Sequence, residues 1–188
     1  KRFSFCPSEI PRWKREQFPN VTYEEFQYLK NSVNGMDKAT YQLFTARQIA
    51  KYDTKTVSDV NVIPATHELV EIQPMKFKQG RFFFFFESNS GTAVIFLGYE
   101  IANSLFENTD PIGKKIRLYG QKFTVIGVLE KQGQGTFGNS NDTAVCIPVN
   151  FMRNKFGDHN DTMTPIIIFK PNEGVDVDEF KGEVIQKL

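Results

Sequence analysis

An α+β fold is what this sequence predicts, on three observations. Thr22 followed by Glu25 is a capping-box pattern, and Phe26, Leu29 and Val33 then recur at helical spacing up to an Asn34-Gly35 stop. Runs of β-branched and aromatic residues alternate with polar ones, as in Val60 and Val62 against Asp59 and Asn61. A final stripe of Val177, Phe180, Val184 and Leu188 marks a helix that follows the turn Pro171-Asn172-Glu173-Gly174.

The elements follow in order. Residues 1–20 mix Pro, Arg, Lys and Phe without a period and read as an extended lead-in. The first helix comes next, then two strands over 40–50 and 54–64, expected to be antiparallel neighbours. Residues 65–72 are predicted to form a short helical turn before Pro74, and 76–80 lead into five consecutive phenylalanines, Phe82 to Phe86. That run has no period to assign a buried face. Core packing of alternate members is expected, with an apolar ligand or a partner as the other reading, and exposed members would favour aggregation unless covered. Residues 93–97 form an apolar run of strand length, and Ile101, Ala102, Leu105 and Phe106 share one helical face. Pro111 stops that helix because it disfavours helical geometry at Asp110. Residues 115–119 and 121–129 flank Gly120 as a β-hairpin. Residues 131–141 are predicted to be a mobile surface loop, 143–148 a strand, 150–156 a short helix and 164–170 a β-branched strand.

A chain of 188 residues is compatible with one medium domain or two small lobes. It buries about 70% of its unfolded surface without needing staples. With 23 Lys plus Arg against 22 Asp plus Glu, no global field points to nucleic acid or an anionic membrane, so partners are recognised by local shape. No run approaches the roughly 20 apolar residues that cross a bilayer, and no signal peptide is legible. Because the chain starts at Lys1 and stops at Leu188 within a helical stripe, excision from a longer protein is expected. Cys6 and Cys146 allow one disulfide without demanding it, and Cys146, between Val145 and Ile147, reads as a small core residue.

Candidate chemistry is sparse. Asp158-His159-Asn160-Asp161 holds ligand-type side chains, but its spacing matches neither a helical ligand pair nor a calcium loop, so a solvated turn is expected. His67 stands beside Glu68 with no nucleophile motif and reads as structural. Gly133, Gly135 and Gly138 spell Gly-x-Gly-x-x-Gly, yet no apolar helix follows and no acidic residue stands where a dinucleotide site needs one. With Phe137 these glycines form a candidate partner-contact loop. Asparagine-x-threonine triplets begin at Asn20, Asn141 and Asn160, a pattern common by chance. No catalytic, metal or cofactor residue is predicted, and the chain is not expected to be an enzyme.

One ordered series stands out: Gly80-Arg81-Phe82-Phe83, the apolar strand 93–97, the helix ending in Leu105-Phe106, Asp110-Pro111-Ile112-Gly113-Lys114, Phe123-Thr124-Val125-Ile126-Gly127-Val128, and Ile147-Pro148. It resembles the extracytoplasmic (periplasmic) core domain of MacB-like, FtsX-type ABC transporter permeases. Residues 1–79 and 149–188 share only the general layout. Many relatives carry a more polar, acidic segment where this chain has Phe84 to Phe86 and Glu87. The resemblance implies two lobes: a porter-like α/β subdomain over 1–79 and 160–188, and an inserted β-rich subdomain over 80–159. It implies a place on the periplasmic side of a bacterial cytoplasmic (inner) membrane, a permease dimer mate, and a cytoplasmic ABC ATPase reached through transmembrane helices. ATP would be bound by that ATPase, with no cofactor in this domain. A periplasmic adaptor, an outer-membrane channel or a cell-wall hydrolase are the further partners it implies. The expected role is to transmit ATPase motion for export or extraction, or, as in FtsX, to regulate a hydrolase. A free-standing periplasmic binding protein or enzyme is the remaining alternative, for which the sequence supplies no cluster of titratable residues.

Overall fold

Helix α1 (Tyr23–Ser32) begins as its capping box requires: the Thr22 hydroxyl accepts from the Glu25 N–H at 3.1 Å, and the Glu25 carboxylate accepts from the Thr22 N–H at 3.0 Å. A computed structural model describes residues 20–107, 109–132, 141–158 and 162–188. The strands are β1 (Met36–Phe44), β2 (Gln48–Tyr52), β3 (Lys55–Ala65), β4 (Phe77–Gly80), β5 (Val94–Leu97), β6 (Lys115–Leu118), β7 (Gln121–Leu129), β8 (Ala144–Pro148) and β9 (Thr164–Pro171). The remaining helices are α2 (Leu69–Ile72), α3 (Phe85–Ser90), α4 (Tyr99–Phe106), α5 (Val149–Phe156) and α6 (Val177–Lys187). The fold is α+β.

All nine strands are linked in one sheet, ordered β2-β6-β7-β5-β8-β3-β1-β9, with β4 on β7 and a further pairing of β2 with β3. That last pairing closes β2, β6, β7, β5, β8 and β3 into a circuit. Strand β3 makes the closure possible because it serves two partners within the circuit, besides β1 at its end. Its first half runs antiparallel to β2, and residues Asn61 to Ala65 run parallel to β8. Within the β2 pairing, between Val57 and Val60, the register slips at a bulge where Asp59 takes a φ of 63°.

Inside the circuit Ala50, Val60, Ile95, Ile116, Phe123, Val125 and Ile147 are fully buried in one cluster. Helix α4 adds Ile101 and Leu105 to it, and α5 adds Val149 and Met152. Strand β5 is apolar throughout because both its faces are covered. Ile95 and Leu97 point into this cluster, while Val94 and Phe96 join a second one with Leu69, Phe83, Leu129 and Cys146. A third cluster, Leu29, Val33, Phe180 and Val184, glues α1 to α6.

Three expectations need correction. The single strand over 40–50 is two strands, broken between Phe44 and Gln48, and both run antiparallel to β3. Strand β4 and helix α3 were not anticipated. The phenylalanine run does not bury alternate members: Phe83 is 2% exposed, whereas Phe84, Phe85 and Phe86 are 52%, 61% and 64% exposed. The physical reason is a change of period. The chain is extended through Phe83 and turns helical at Phe85, so the last three rings leave the sheet together. The hairpin at Tyr119-Gly120 is as expected, and both residues take positive φ, 51° and 72°. The loop residues Gly133, Gly135, Phe137 and Gly138, together with His159 and Cys6, lie outside the described residues, so the disulfide and polar-turn readings lie there as well.

Candidate partner-contact surface

Gly80 and Gly127 face each other across β4 and β7. A Cβ on Gly80 would stand 2.2 Å from the Ile126 carbonyl, and one on Gly127 would stand 2.5 Å from the Arg81 carbonyl. Both must therefore be glycine for the two backbones to touch, and Gly80 also takes a φ of 78°. The chain leaves this contact with Arg81 bound to β7, its N–H donating to the Ile126 carbonyl at 2.9 Å.

Arg81 then ties the turn into α3. Its guanidinium donates to both oxygens of the buried Glu87 carboxylate, at 2.6 and 2.8 Å, and to the Phe82 carbonyl at 2.9 Å. Glu87 also accepts from the Phe84 N–H at 2.8 Å, which satisfies a free donor at the start of α3. The Arg81 fork holds the Glu87 carboxyl below its ordinary value, and Glu87 in turn raises Arg81. Phe82 and Phe83 turn inward, with ring centroids 4.1 Å apart, and Phe82 reaches Phe96 at 5.1 Å. Phe84 lies over the Arg81 guanidinium at 4.2 Å, Phe84 and Phe86 stack at 5.8 Å, and Phe85 meets His67 edge-on at 5.1 Å. The outcome is a rigid, outward-facing aromatic patch on an ionic brace.

His67 is part of the support rather than an acid-base group. Its backbone N–H donates to the Ser88 hydroxyl at 3.1 Å, and burial lowers its imidazole pKa. Glu68 beside it is buried. Burial pushes its carboxyl up, but hydrogen bonds from Lys30 and Thr66 outweigh this and hold it below its ordinary value. The Tyr41 hydroxyl, under the start of α1, is pushed up to about 12 by burial.

The Asp110-Pro111-Ile112-Gly113-Lys114 turn joins the same junction. The Asp110 carboxylate accepts from the Ile112 N–H at 3.0 Å and from the Gln79 amide at 3.3 Å. Gly113 at φ 78° closes a turn in which the Lys114 N–H donates to the Pro111 carbonyl. The Gly113 N–H and the Lys114 carbonyl both bond Val125, and Ile112 packs beside Gly80. Pro148 lies elsewhere. Buried at the end of β8, it starts α5, where the Asn150 amide bonds the Ser88 and Asn89 carbonyls of α3. The neck of the candidate loop is pinned, with the Gln132 N–H donating to the buried Asp142 carboxylate at 2.8 Å and the Asn141 amide to Gln132 at 3.0 Å.

Two features escaped the sequence reading. Glu87 is one, because a phenylalanine at the N-cap hides the usual pattern: only the glutamate half of a capping box is present, accepting from the Phe84 N–H. The other is a cleft of about 220 Å³ between α4 and β4, lined by Lys78, Tyr99, Asn103, Phe106, Asp110 and Pro111, which no local pattern announces because its walls are far apart in sequence. Among the described residues, no group of three or more His, Cys, Asp and Glu side chains is placed to hold a metal. Cys146 is buried and its thiol is pushed well up by desolvation.

Residues 7–187 match the family model described as the MacB-like periplasmic core domain. The chain belongs to this family. As a MacB-like periplasmic core domain it is 29% identical, over 63% of its length, to the macrolide export ATP-binding/permease protein MacB of Marinobacter nauticus, of which it covers 18%. It is 25% identical over 100% of its length to an uncharacterised ABC transporter permease of Methanocaldococcus jannaschii, covering 42% of that protein. The chain thus spans less than half the length of these relatives. The fold is also that of the periplasmic region of MacB from Actinobacillus actinomycetemcomitans (TM-score 0.76, 18% identity, 93% of this chain and 75% of that one). The extracellular domain of the transporter YknZ from Gram-positive bacteria agrees as well (TM-score 0.71, 22% identity, 89% and 81%). No helix among the described residues is long and apolar enough to cross a membrane.

Proposed function

We propose that this chain is the extracytoplasmic domain of an ABC transporter permease subunit in a bacterial cytoplasmic membrane. It transmits the motion of a cytoplasmic ATPase to a substrate or partner on the periplasmic side. What carries the reading is membership of the MacB-like periplasmic core domain family over nearly the whole chain. In this reading the domain hydrolyses nothing and holds no cofactor, and ATP is consumed by the ATPase. Mechanical transmission needs a rigid body whose contacts differ between two states. The closed strand circuit supplies rigidity, and the braced Phe84 to Phe86 patch supplies a contact for an adaptor or channel. The division into a porter-like subdomain (1–79 and 160–188) and a β-rich subdomain (80–159) belongs to the same proposal.

The test is to express the complete reading frame with an affinity tag, fractionate it, and identify what co-purifies. Membrane association with an ABC ATPase is the expected result, and replacing Phe84, Phe85 and Phe86 by Ser should release a periplasmic partner while leaving the ATPase bound. A soluble product without an ATPase would sink the reading. Capture of a cell-wall hydrolase in place of an adaptor or channel would replace transport by regulation.

A further inference from the structure

Among the described residues, strand β9 ends the sheet and is bonded on one side only, to β1. Which of its groups face outward follows from β1. The Thr66 N–H donates to the Tyr41 carbonyl at 3.1 Å, and the Tyr41 N–H donates to the Thr66 hydroxyl at 3.3 Å. Tyr41 therefore spends its main-chain groups toward β3. Because an antiparallel ladder alternates, Thr40 and Gln42 point theirs at β9, where they oppose Ile168 and Ile166. The main-chain groups of Pro165, Ile167, Phe169 and Pro171 are left facing outward.

This outward row is symmetric about Ile168: a proline at each end, with Ile167 and Phe169 between them supplying its N–H donors. We propose that β9 is a self-pairing edge, joined antiparallel to β9 of a second copy of this chain about a two-fold axis at Ile168. In that register Ile167 opposes Phe169 of the second copy, and every outward N–H meets an outward carbonyl. Pro165 opposes Pro171, where no donor exists to be left unpaired. Sliding the strands by two residues sets a proline against a group that needs an N–H, so the prolines select one register and forbid longer stacking.

The side chains fit the same register. Ile167 and Phe169, which pack on the helical side, form the aromatic and β-branched cross-strand pairs that stabilise sheets. On the other face Ile168 meets its own copy. Ile166 and Ile168 are half-buried and join none of the apolar clusters among the described residues. Ile166 opposes Lys170 of the second copy, so no like charges meet. An edge this short buries less than the roughly 800 Å² per partner of a stable complex. Association of free chains is therefore weak, and two copies anchored in one membrane reach it through high effective concentration. The pairing deepens the dimer implied by the transport reading and rests on that reading for the anchoring alone.

The test replaces Cys6 by Ser to remove a competing thiol, and then Ile168 by Cys. Residues directly opposite at such a position have Cα atoms about 4.5 Å apart, within disulfide range. Under mild oxidation, in the chain at high concentration and in the complete permease in membranes, I168C should cross-link at least about tenfold faster than T164C or I166C. Adding Ile167→Pro removes an outward donor without touching the β1 ladder, and should abolish the cross-link while far-UV circular dichroism stays unchanged. Phe169→Pro repeats the test at the other donor. Equal rates at all three cysteines, no I168C cross-link in either setting, or a cross-link that survives a folded proline variant would overturn the pairing. A permease that binds its ATPase but cross-links only through other surfaces would overturn the edge while leaving the transport reading intact.

Discussion

Arg81 has five donors and directs three hydrogen bonds at one turn, so a single side chain sets where three phenyl rings point. Its partner Glu87 is 6% exposed, while the Arg81 side chain is 40% exposed, which makes the pair an ionic brace with one face in water. Removing the arginine strands a buried carboxylate; with the partial solvent screening, Arg81→Ala should cost about 1–2 kcal/mol, read as a lowered urea midpoint. The pH dependence has a defined sign. Glu87 has a folded-state pKa below its ordinary value of 4.5, so its contribution is fully present above that value and is lost as pH falls through the lower folded value. The stability gap between the wild type and Glu87→Gln should therefore be constant near neutrality and close at acid pH. A gap unchanged well below pH 4 would show that Glu87 acts by shape rather than by charge.

At the scale of elements, glycines separate into those that a contact demands and those that only a turn demands. Gly127 has an ordinary φ, yet its missing side chain is filled by the Arg81 carbonyl and the Phe77 ring. Gly113 has a φ of 78° and nothing within 4 Å of an added Cβ. Gly113→Ala should cost about 1 kcal/mol, the strain of a left-handed alanine. Gly127→Ala must push β4 off β7 and should cost well over that, about 3 kcal/mol by thermal unfolding, and Gly80→Ala more still because it meets both penalties. Similar melting temperatures for the Gly113 and Gly127 variants would refute the close-approach account. The same distinction explains what was legible in the sequence. Thr22 with Glu25, the stripe ending in Val184, and the Tyr119-Gly120 hairpin are local, so they could be read directly. The break between β1 and β2 could not, because Thr45-Ala46-Arg47 differs little from its flanks and the interruption is imposed by β3 changing partners. In the phenylalanine run, identical side chains carry no period. Only Glu87, reaching back to Phe84 and Arg81, marks where strand becomes helix, and the cleft beside Tyr99 depends on segments brought together by the sheet.

Across the whole molecule, the circuit of strands makes stability unequal from one end of the sheet to the other. Strand β8 lies between β3 and β5 and is buried at every residue, so opening it breaks two ladders and exposes the circuit's interior. Strand β9 has one ladder among the described residues, to β1, and its apolar residues are only half-buried. Ile147, with no exposed surface, should cost about 2–5 kcal/mol when truncated to Ala, whereas Ile166 at the rim should cost about 1 kcal/mol or less. Native-state hydrogen exchange gives the finer version of the argument. Amides of Val145 and Ile147 should exchange only through global unfolding, and Ile147→Ala should accelerate them by its full loss of stability. In dilute free chain, outward-facing Ile167 and Phe169 should exchange far faster than Ile166 and Ile168, whose amides are held by Gln42 and Thr40. Equal protection along β9 would mean that its alternation is not the one drawn from Tyr41 and Thr66. Equal protection of β8 and β9 would mean that the sheet opens as one unit, with no rigid circuit to carry a mechanical load.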